Sequence, residues 1–302
     1  MRYSVLLIAI VLLVLGCKKP EEQVFTNNTI PTYTGTPTLL VENYVNRLYI
    51  DLIGREPNDA EMNGDVQALE AAALSEGART NLVNKLMNGT DFVPGDTSYA
   101  HAYNQKFYND NKARFLEGTA ENIIINEYYM YRNNAVQDSL NGFMLVYELQ
   151  MAEANKLKDL YFSKRDLREG TINVVEMCRR MSFNSIYDGI NMGSFNYINS
   201  CFDNMLYRYP TNAELEMCEP AVESSIGGQL FGIVISNKAE FLNALLLSEE
   251  YHEGMIRWVY LSLLSREPSS AEVYTLMNNF MMTKDIKAIQ RRILISAEYA
   301  GF

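Results

Sequence analysis

Apolar residues recur at helical spacing along most of the chain after residue 40. From Val41 to Ile53 they fall at i, i+3, i+4, i+7, i+8, i+11 and i+12, one face of an amphipathic helix. Thr119–Phe162 and Leu167–Met181 continue the helical pattern, with weak points expected at residues 133–134 and 141–142. Only Gly227–Ile235 favours a short strand or a loop packed by its own apolar residues. The pattern predicts an all-α fold.

One segment occurs three times, with an aromatic residue, an arginine, a proline, an alanine and a glutamate in the same register. The copies begin at Tyr49, Phe202 and Tyr260. The shared positions are Arg55, Pro57 and Glu61 in the first copy, Arg208, Pro210 and Glu214 in the second, and Arg266, Pro268 and Glu272 in the third. We call each segment a corner.

Local physics explains most of the corner. Proline disfavours helical geometry in the residue before it, so a first helix ends there. Asn58, Thr211 and Ser269 then stand three residues before a glutamate, which predicts a capping box that starts a second helix. The arginine is expected to cap the last carbonyls of the first helix or to pair with the glutamate. A binding role for the three arginines is the less favoured alternative.

Three helix–turn–helix units follow from these corners. Each unit closes with two apolar residues, a small residue, an acid and an aromatic, the last being Phe92, Tyr251 or Tyr299. The predicted units span about 41–92, 198–251 and 254–302, and a long helical insertion covers 93–197. We expect all of them to pack into one domain, 41–302, because such units cannot bury an apolar face alone.

The N-terminus predicts export. Arg2 precedes an apolar run, Val5–Leu15, that is too short to span a bilayer and typical of a secretory signal peptide. The Gly16-Cys17 junction resembles the lipobox of bacterial lipoproteins. The resemblance implies a signal peptide at 1–16, acylation of Cys17 and a tether at 17–40, and Lys18 favours the outer membrane. An ordinary signal peptide or an anchor helix is the alternative.

Composition and scattered polar residues narrow the function classes. With 37 acidic and 26 basic residues, the chain carries a net charge of −11, which argues against nucleic-acid binding. The two histidines have no clustered partners, so no metal site is expected. No nucleotide-binding or serine-nucleophile motif is present. Cys201 and Cys218 either form a disulfide or are buried free thiols, as Cys178 is expected to be.

The chain is also unusually rich in tyrosine, with 20 residues of this type. At helical spacing they favour a core, but exposed aromatic residues would provide a recognition face for a protein or a sugar. Such a face is expected in 93–197 or at 227–235.

The corner and closing patterns resemble helical modules of secreted bacterial proteins. One such module is a repeat reading roughly L-Y-x-D-L-L-G-R-E-P and then L-x-S-x-E-F, found in surface-layer and haemolysin-like proteins and similar to phycobilisome linker domains. Another is a pair of uncharacterised domains found beside cytochrome-c-type modules. The resemblance covers 43–92 and 198–302 and implies a fold without catalytic residues. The chain lacks the Cys-x-x-Cys-His that covalent attachment of haem needs, so no c-type haem is expected. No other cofactor is predicted.

These observations favour a non-catalytic outer-membrane lipoprotein that acts as a binding or assembly module, held to the membrane by lipid and partnered by an envelope protein. A surface glycan- or nutrient-binding lipoprotein working with a transporter is the alternative. A hydrolase of unrecognised type is a weaker one, and it would require a cleft gathering two carboxylates or a carboxylate and Cys178.

Overall fold

The computed structural model describes residues 35–93 and 96–302 of the chain. The chain divides into Met1–Thr36 and a compact unit, Pro37–Phe302. The signal peptide, Cys17 and most of the expected tether lie outside the described residues. Within the described part the fold is all-α apart from one small hairpin.

Helices follow one another through the compact unit, with a single pair of strands near residue 230. In chain order the elements are α1 (Thr38–Ile53), α2 (Asp59–Ala71), α3 (Glu76–Asn88), α4 (Tyr99–Leu116), α5 (Glu121–Leu140), α6 (Met144–Arg168), α7 (Val174–Ser182), α8 (Ser185–Ile190), α9 (Ser194–Leu206), α10 (Asn212–Ser224), β1 (Gly228–Leu230), β2 (Ile233–Ile235), α11 (Lys238–Leu247), α12 (Glu249–Leu264), α13 (Ser270–Thr283), α14 (Ile286–Leu294) and α15 (Ala297–Ala300).

The tether was predicted to end at residue 40, and this boundary is wrong by three residues. Helix α1 begins at Thr38, with Pro37 at the N-cap position in an extended conformation. The Leu40 amide donates to the Pro37 carbonyl at 2.9 Å. A proline before the first turn gives up no helical hydrogen bond, because its nitrogen would be unsatisfied there in any case.

The capping boxes are present at all three corners. The side chains of Asn58, Thr211 and Ser269 each accept from the amide of the glutamate three residues on. Each glutamate in turn accepts from the backbone of its capping residue. These reciprocal bonds satisfy amides that a helix start leaves without a partner, and so fix where α2, α10 and α13 begin.

The insertion contains a long antiparallel helical hairpin formed by α5 and α6. The helix continues through Asn133 and Asn134, so the predicted weak point there is wrong. The turn falls at Asn141–Phe143, where Gly142 has a φ of 79°. The second helical pattern, Leu167–Met181, is divided between α6 and α7 by a turn at 169–173.

The glycine-rich stretch forms the short strands β1 and β2. They pair antiparallel, with Gly228 opposite Ile235 and Leu230 opposite Ile233. Leu230 and Ile235 are buried against the helices, whereas Val234 is exposed. The strand alternative for this stretch is therefore the one the structure shows.

The two ends of the compact unit pack on each other. Tyr299 in α15 donates a hydrogen bond to Asp51 in α1 at 2.7 Å. In return, Arg47 in α1 donates to the Tyr299 carbonyl at 2.9 Å and stacks over its ring. Helices α14 and α3 are also in contact. One apolar core runs through the whole unit as a result.

Candidate functional site

The three corners have the same ion-pair geometry. Two guanidinium nitrogens of the arginine donate to the two carboxylate oxygens of the glutamate. The distances are 2.7 and 2.8 Å for Arg55–Glu61, 2.9 and 2.7 Å for Arg208–Glu214, and 3.0 and 2.7 Å for Arg266–Glu272. A planar guanidinium fits a carboxylate in this paired way, which makes the contact both strong and directional.

Each arginine makes three more contacts. It donates to the carbonyl of the next residue, at 2.9–3.1 Å. It lies 5.1–5.5 Å from the centre of the aromatic ring that starts the corner. It also pairs with a second carboxylate from a later segment, which is Asp96, Glu250 or Glu298. The arginine thus joins the corner to the end of its unit.

Electrostatics holds the corner glutamates ionised. The Arg208 and Arg266 guanidiniums and the capping amides lower the pKa of Glu214 and Glu272 to about 2. Burial opposes the same effect at Glu61, but hydrogen bonds from Arg55, Asn58 and Tyr99 bring its pKa to about 2 as well. A carboxyl with so low a pKa cannot donate a proton near neutral pH. With their donors already engaged, the arginines act as links between helices.

The first corner differs from the other two. Phe92, expected to close the unit, is 82 % exposed, whereas Tyr251 and Tyr299 are fully buried. The closing role passes to Tyr99 at the start of α4, whose hydroxyl donates to Glu61 at 2.7 Å. The second carboxylate comes from Asp96 in the preceding loop. The assignment of Phe92 is therefore corrected.

A partly buried polar cluster extends this first corner. Tyr49 donates to Asp65 at 2.7 Å, and Lys85 pairs with the same carboxylate at 2.7 Å. The equivalent of Asp65 is Cys218 in the second unit and Leu276 in the third, so the cluster belongs to the first corner alone. Sequence reasoning missed it, although a charged residue at a position that is apolar in the other copies was the available signal.

The cysteines of the compact unit are buried free thiols. Cys201 and Cys218 are not bonded, so of the two alternatives for this pair the structure shows the thiols. Burial raises the pKa of both to about 12, and it also raises the pKa of Cys178. The thiolate is the reactive form, so these groups are poor nucleophiles near neutral pH.

The two histidines contact basic side chains, His101 next to Arg168 and His252 next to Lys284. His252 is buried between the Ser248 carbonyl, 2.7 Å from Nδ1, and the Lys284 ammonium, 2.5 Å from Nε2. Burial and this neighbouring charge lower its pKa. Within 35–93 and 96–302 no three histidine, cysteine or acidic side chains gather to hold a metal ion.

Half of the tyrosines in the described part of the chain are buried in the core. The fully or almost fully buried ones are Tyr44, Tyr49, Tyr103, Tyr108, Tyr187, Tyr197, Tyr251 and Tyr299. In the insertion, Tyr129 is the half-exposed exception. The burial of these rings weakens the argument for a glycan-binding platform, although Tyr209 and Tyr274 outside the insertion are exposed.

The largest concentration of exposed apolar side chains lies at the end of the α5–α6 hairpin. Leu140, Phe143, Leu145 and Leu149 are 59–76 % exposed. Val136, Met144 and Val146 beside them are 41–52 % exposed. Patches of this kind on a folded protein usually mark an interaction site. We call residues 136–149 the hairpin tip.

The comparisons with known proteins give no relative. No family model matches the chain, and neither a curated protein nor a solved structure matches it. In the described part of the chain, no helix is both long and apolar enough to cross a bilayer.

Proposed function

We propose that the protein is anchored by lipid to the outer membrane of the bacterial cell envelope. Its helical unit is a non-catalytic module that binds a partner protein. The hairpin tip is the observation that carries this proposal. The lipobox-like junction at Cys17 supports the proposed location, and the resemblance to modules of secreted proteins is in keeping with it.

The hairpin tip contributes nothing to the core of its own molecule. Helix α5 packs chiefly against α6, and only its first part reaches the core, through Ile124, Tyr128 and Tyr131. No residue from 136 to 149 belongs to the apolar core. These apolar side chains are unfavourably exposed to water. Burying them against a partner would contribute about 25 cal/mol of binding free energy per Å² of apolar area.

The charges around the tip narrow the kind of partner. Residues 133–155 contain Asp138, Glu148 and Glu153 and no lysine or arginine. Such a surface is repelled by anionic lipid and by phosphate backbones. It fits an apolar groove with a neutral or basic border on another protein, where acidic side chains at the rim set orientation and association rate.

Site-specific crosslinking tests the binding module. A benzoylphenylalanine placed at Phe143 in the native host should give one dominant crosslinked protein, which mass spectrometry identifies. The same probe at Tyr274, an aromatic side chain that is also exposed but distant in the sequence, is the control. The product should disappear in Leu145→Ser/Leu149→Ser, which leaves the fold intact because both side chains are exposed. No product, or the same products from Tyr274, would refute the proposal.

A separate experiment tests the anchor. Cys17→Ala should abolish labelling by a palmitate probe and move the protein from the membrane to the soluble fraction, because the acyl chains supply the membrane affinity. Lys19→Ala is the control and should remain labelled and membrane-bound. Persistent labelling of the Cys17→Ala variant would show that the acylated residue is another one.

A further inference from the structure

The third unit contains a cavity beside α13. Its volume is about 530 Å³, within the range of sites for small ligands. It lies between α13 and the segment that joins α14 to α15, and the start of α3 closes one side. Its walls carry the apolar side chains of Leu264, Leu276, Ile293 and Ile295.

In the second unit, the chain itself lies against the equivalent part of α10. Residues 225–237, between α10 and α11, carry the β1–β2 hairpin, whereas only residues 284–285 connect α13 to α14. Gly228 of β1 lies against the backbone of Met217, so close that a Cβ there would overlap the Met217 carbonyl oxygen. The residue in register with Met217 is Thr275, which lines the cavity.

The hairpin shows what kind of group suits this space. Its buried side chains in the second unit are Leu230 and Ile235, both at most 2 % exposed. They reach the core from an extended backbone. The counterpart groove in the third unit keeps its apolar walls but lacks such a segment of its own.

The cavity adds charge to this apolar frame. Arg79 and Arg292 line it, and neither forms an ion pair with any described residue. The Nε of Arg79 is buried and has no hydrogen-bond partner in the part of the chain that the structure describes. A buried donor without a partner costs free energy, which a bound acceptor would recover.

Only one acidic side chain of the lining lacks an ion pair among the described residues, so the two arginines leave one positive charge uncompensated. Glu272 and Glu298 are both held by Arg266. Glu76 is the remaining carboxylate, and it has no ion pair among the described residues. Two guanidiniums therefore face one unpaired carboxylate, which favours a ligand with a single negative group.

We propose that this cavity binds a short extended peptide segment of another protein, with leucine- or isoleucine-like side chains and one carboxylate that is held by Arg79 and Arg292. The peptide occupies in the third unit the place that the β1–β2 hairpin occupies in the second. This site is separate from the hairpin tip, so the inference does not rest on the function proposed above.

Calorimetry with the full-length protein in mild detergent tests the site. The probe is the acetylated peptide Gln-Leu-Phe-Gly-Ile-Val, the sequence of residues 229–234, with a free C-terminal carboxylate. We expect it to bind, and its C-terminal amide to bind about tenfold more weakly, since a hydrogen bond to a charged group is worth about 1.5–3 kcal/mol. No heat of binding at millimolar peptide, or equal affinity of the two forms, would overturn the proposal.

Two pairs of variants locate the binding. Thr275→Trp fills the cavity and should abolish binding, whereas Tyr274→Trp, on the same helix but outside the lining, should bind as the parent does. Arg292→Gln should remove the preference for the carboxylate form, and Arg132→Gln, another exposed arginine without an ion pair, should keep it. Equal effects within either pair would show that the peptide binds elsewhere.

Decanoate separates a peptide from a lipid occupant. It offers one carboxylate and an apolar chain without peptide groups. Binding of decanoate without binding of the peptide would overturn the assignment to a peptide. Binding of the peptide that decanoate does not displace would support it.

Discussion

The residue before each corner arginine takes up a left-handed backbone conformation. Its φ is 77° at Gly54, 56° at Tyr207 and 54° at Ser265. This residue ends the first helix and turns the chain so that the arginine points back toward the glutamate. A residue with a Cβ pays about 1–2 kcal/mol for that conformation, which glycine does not. Two of the three corners therefore carry a local strain that the ion pair and the caps offset.

Ser265→Gly should raise the free energy of unfolding by about 0.5–1 kcal/mol, because it removes this strain while adding some freedom to the unfolded chain. Ser262→Gly is the matched control, since Ser262 lies exposed within α12. Glycine there should cost about 0.5 kcal/mol. Urea unfolding of both variants measures the difference, and destabilisation by both would contradict the role of the left-handed position.

The corner glutamates make stability depend on acid. The pKa of Glu214 falls from 4.5 to about 2 in the folded protein. Its contribution is therefore fully present above pH 4.5 and is lost as the pH falls toward 2, because the unfolded chain binds the proton first. Glu214→Gln should lower the urea midpoint at pH 7 and reduce the loss of stability between pH 4.5 and about 2.

Glu216→Gln provides the control for that measurement. Glu216 is exposed on the same helix and makes no ion pair among the described residues. Its variant should keep both the midpoint and the acid dependence of the parent. If Glu214→Gln retained the parent's full pH dependence, the corner ion pair would not be the source of acid sensitivity.

At the scale of elements, the position of the β1–β2 hairpin depends on the close approach of Gly228 to α10. A Cβ at Gly228 would overlap the backbone of Met217 in α10, whereas one at Gly227 would meet open space. Gly228→Ala should destabilise the protein by about 1–3 kcal/mol, as overpacking does. Gly227→Ala should stay within about 0.5 kcal/mol of the parent. Thermal melts of the two variants test the difference, and equal midpoints would mean that the hairpin shifts freely.

Elements set by neighbouring residues were predictable from the sequence, and those set by distant contacts were not. The capping boxes at Asn58, Thr211 and Ser269 join residues three apart, and they are present. Asn133 and Asn134 weaken a helix locally, yet α5 continues through them because it packs along α6. The break comes at Gly142, whose positive φ a turn requires.

The sequence predicted the contacts within each corner but not the second carboxylate that binds its arginine. The Arg–Glu pair spans six residues and was one of the alternatives drawn from the spacing. The second carboxylate comes from 32 to 42 residues further along the chain. Its signal was present in the closing pattern, since Glu250 and Glu298 hold equivalent positions. Phe92 misled the prediction at the first unit, because a loop there replaces the start of the closing helix and Asp96 supplies the charge.

At the scale of the whole molecule, contacts between the first and the last helices of the compact unit hold the unit together. Tyr44 in α1 donates to the Leu294 carbonyl at the end of α14, and its ring packs edge-on against Tyr299. These partners are about 250 residues apart in the chain. No periodicity or spacing encodes such a pairing, so the cavity beside it was equally hidden from sequence reasoning. Closure also places Arg79 of α3 at the third unit's cavity.

Tyr299→Ala tests this closure. The side chain is fully buried, stacks under Arg47 and donates to Asp51, so its loss should cost about 3–5 kcal/mol. Tyr274→Ala removes an exposed ring of the same type and should cost less than about 0.5 kcal/mol. Hydrogen exchange adds a spatial readout. Amides of α1 should lose protection in Tyr299→Ala, while those of the α5–α6 hairpin should not. Equal loss in both regions would mean that the unit unfolds as a whole, and that α15 does not secure α1 separately.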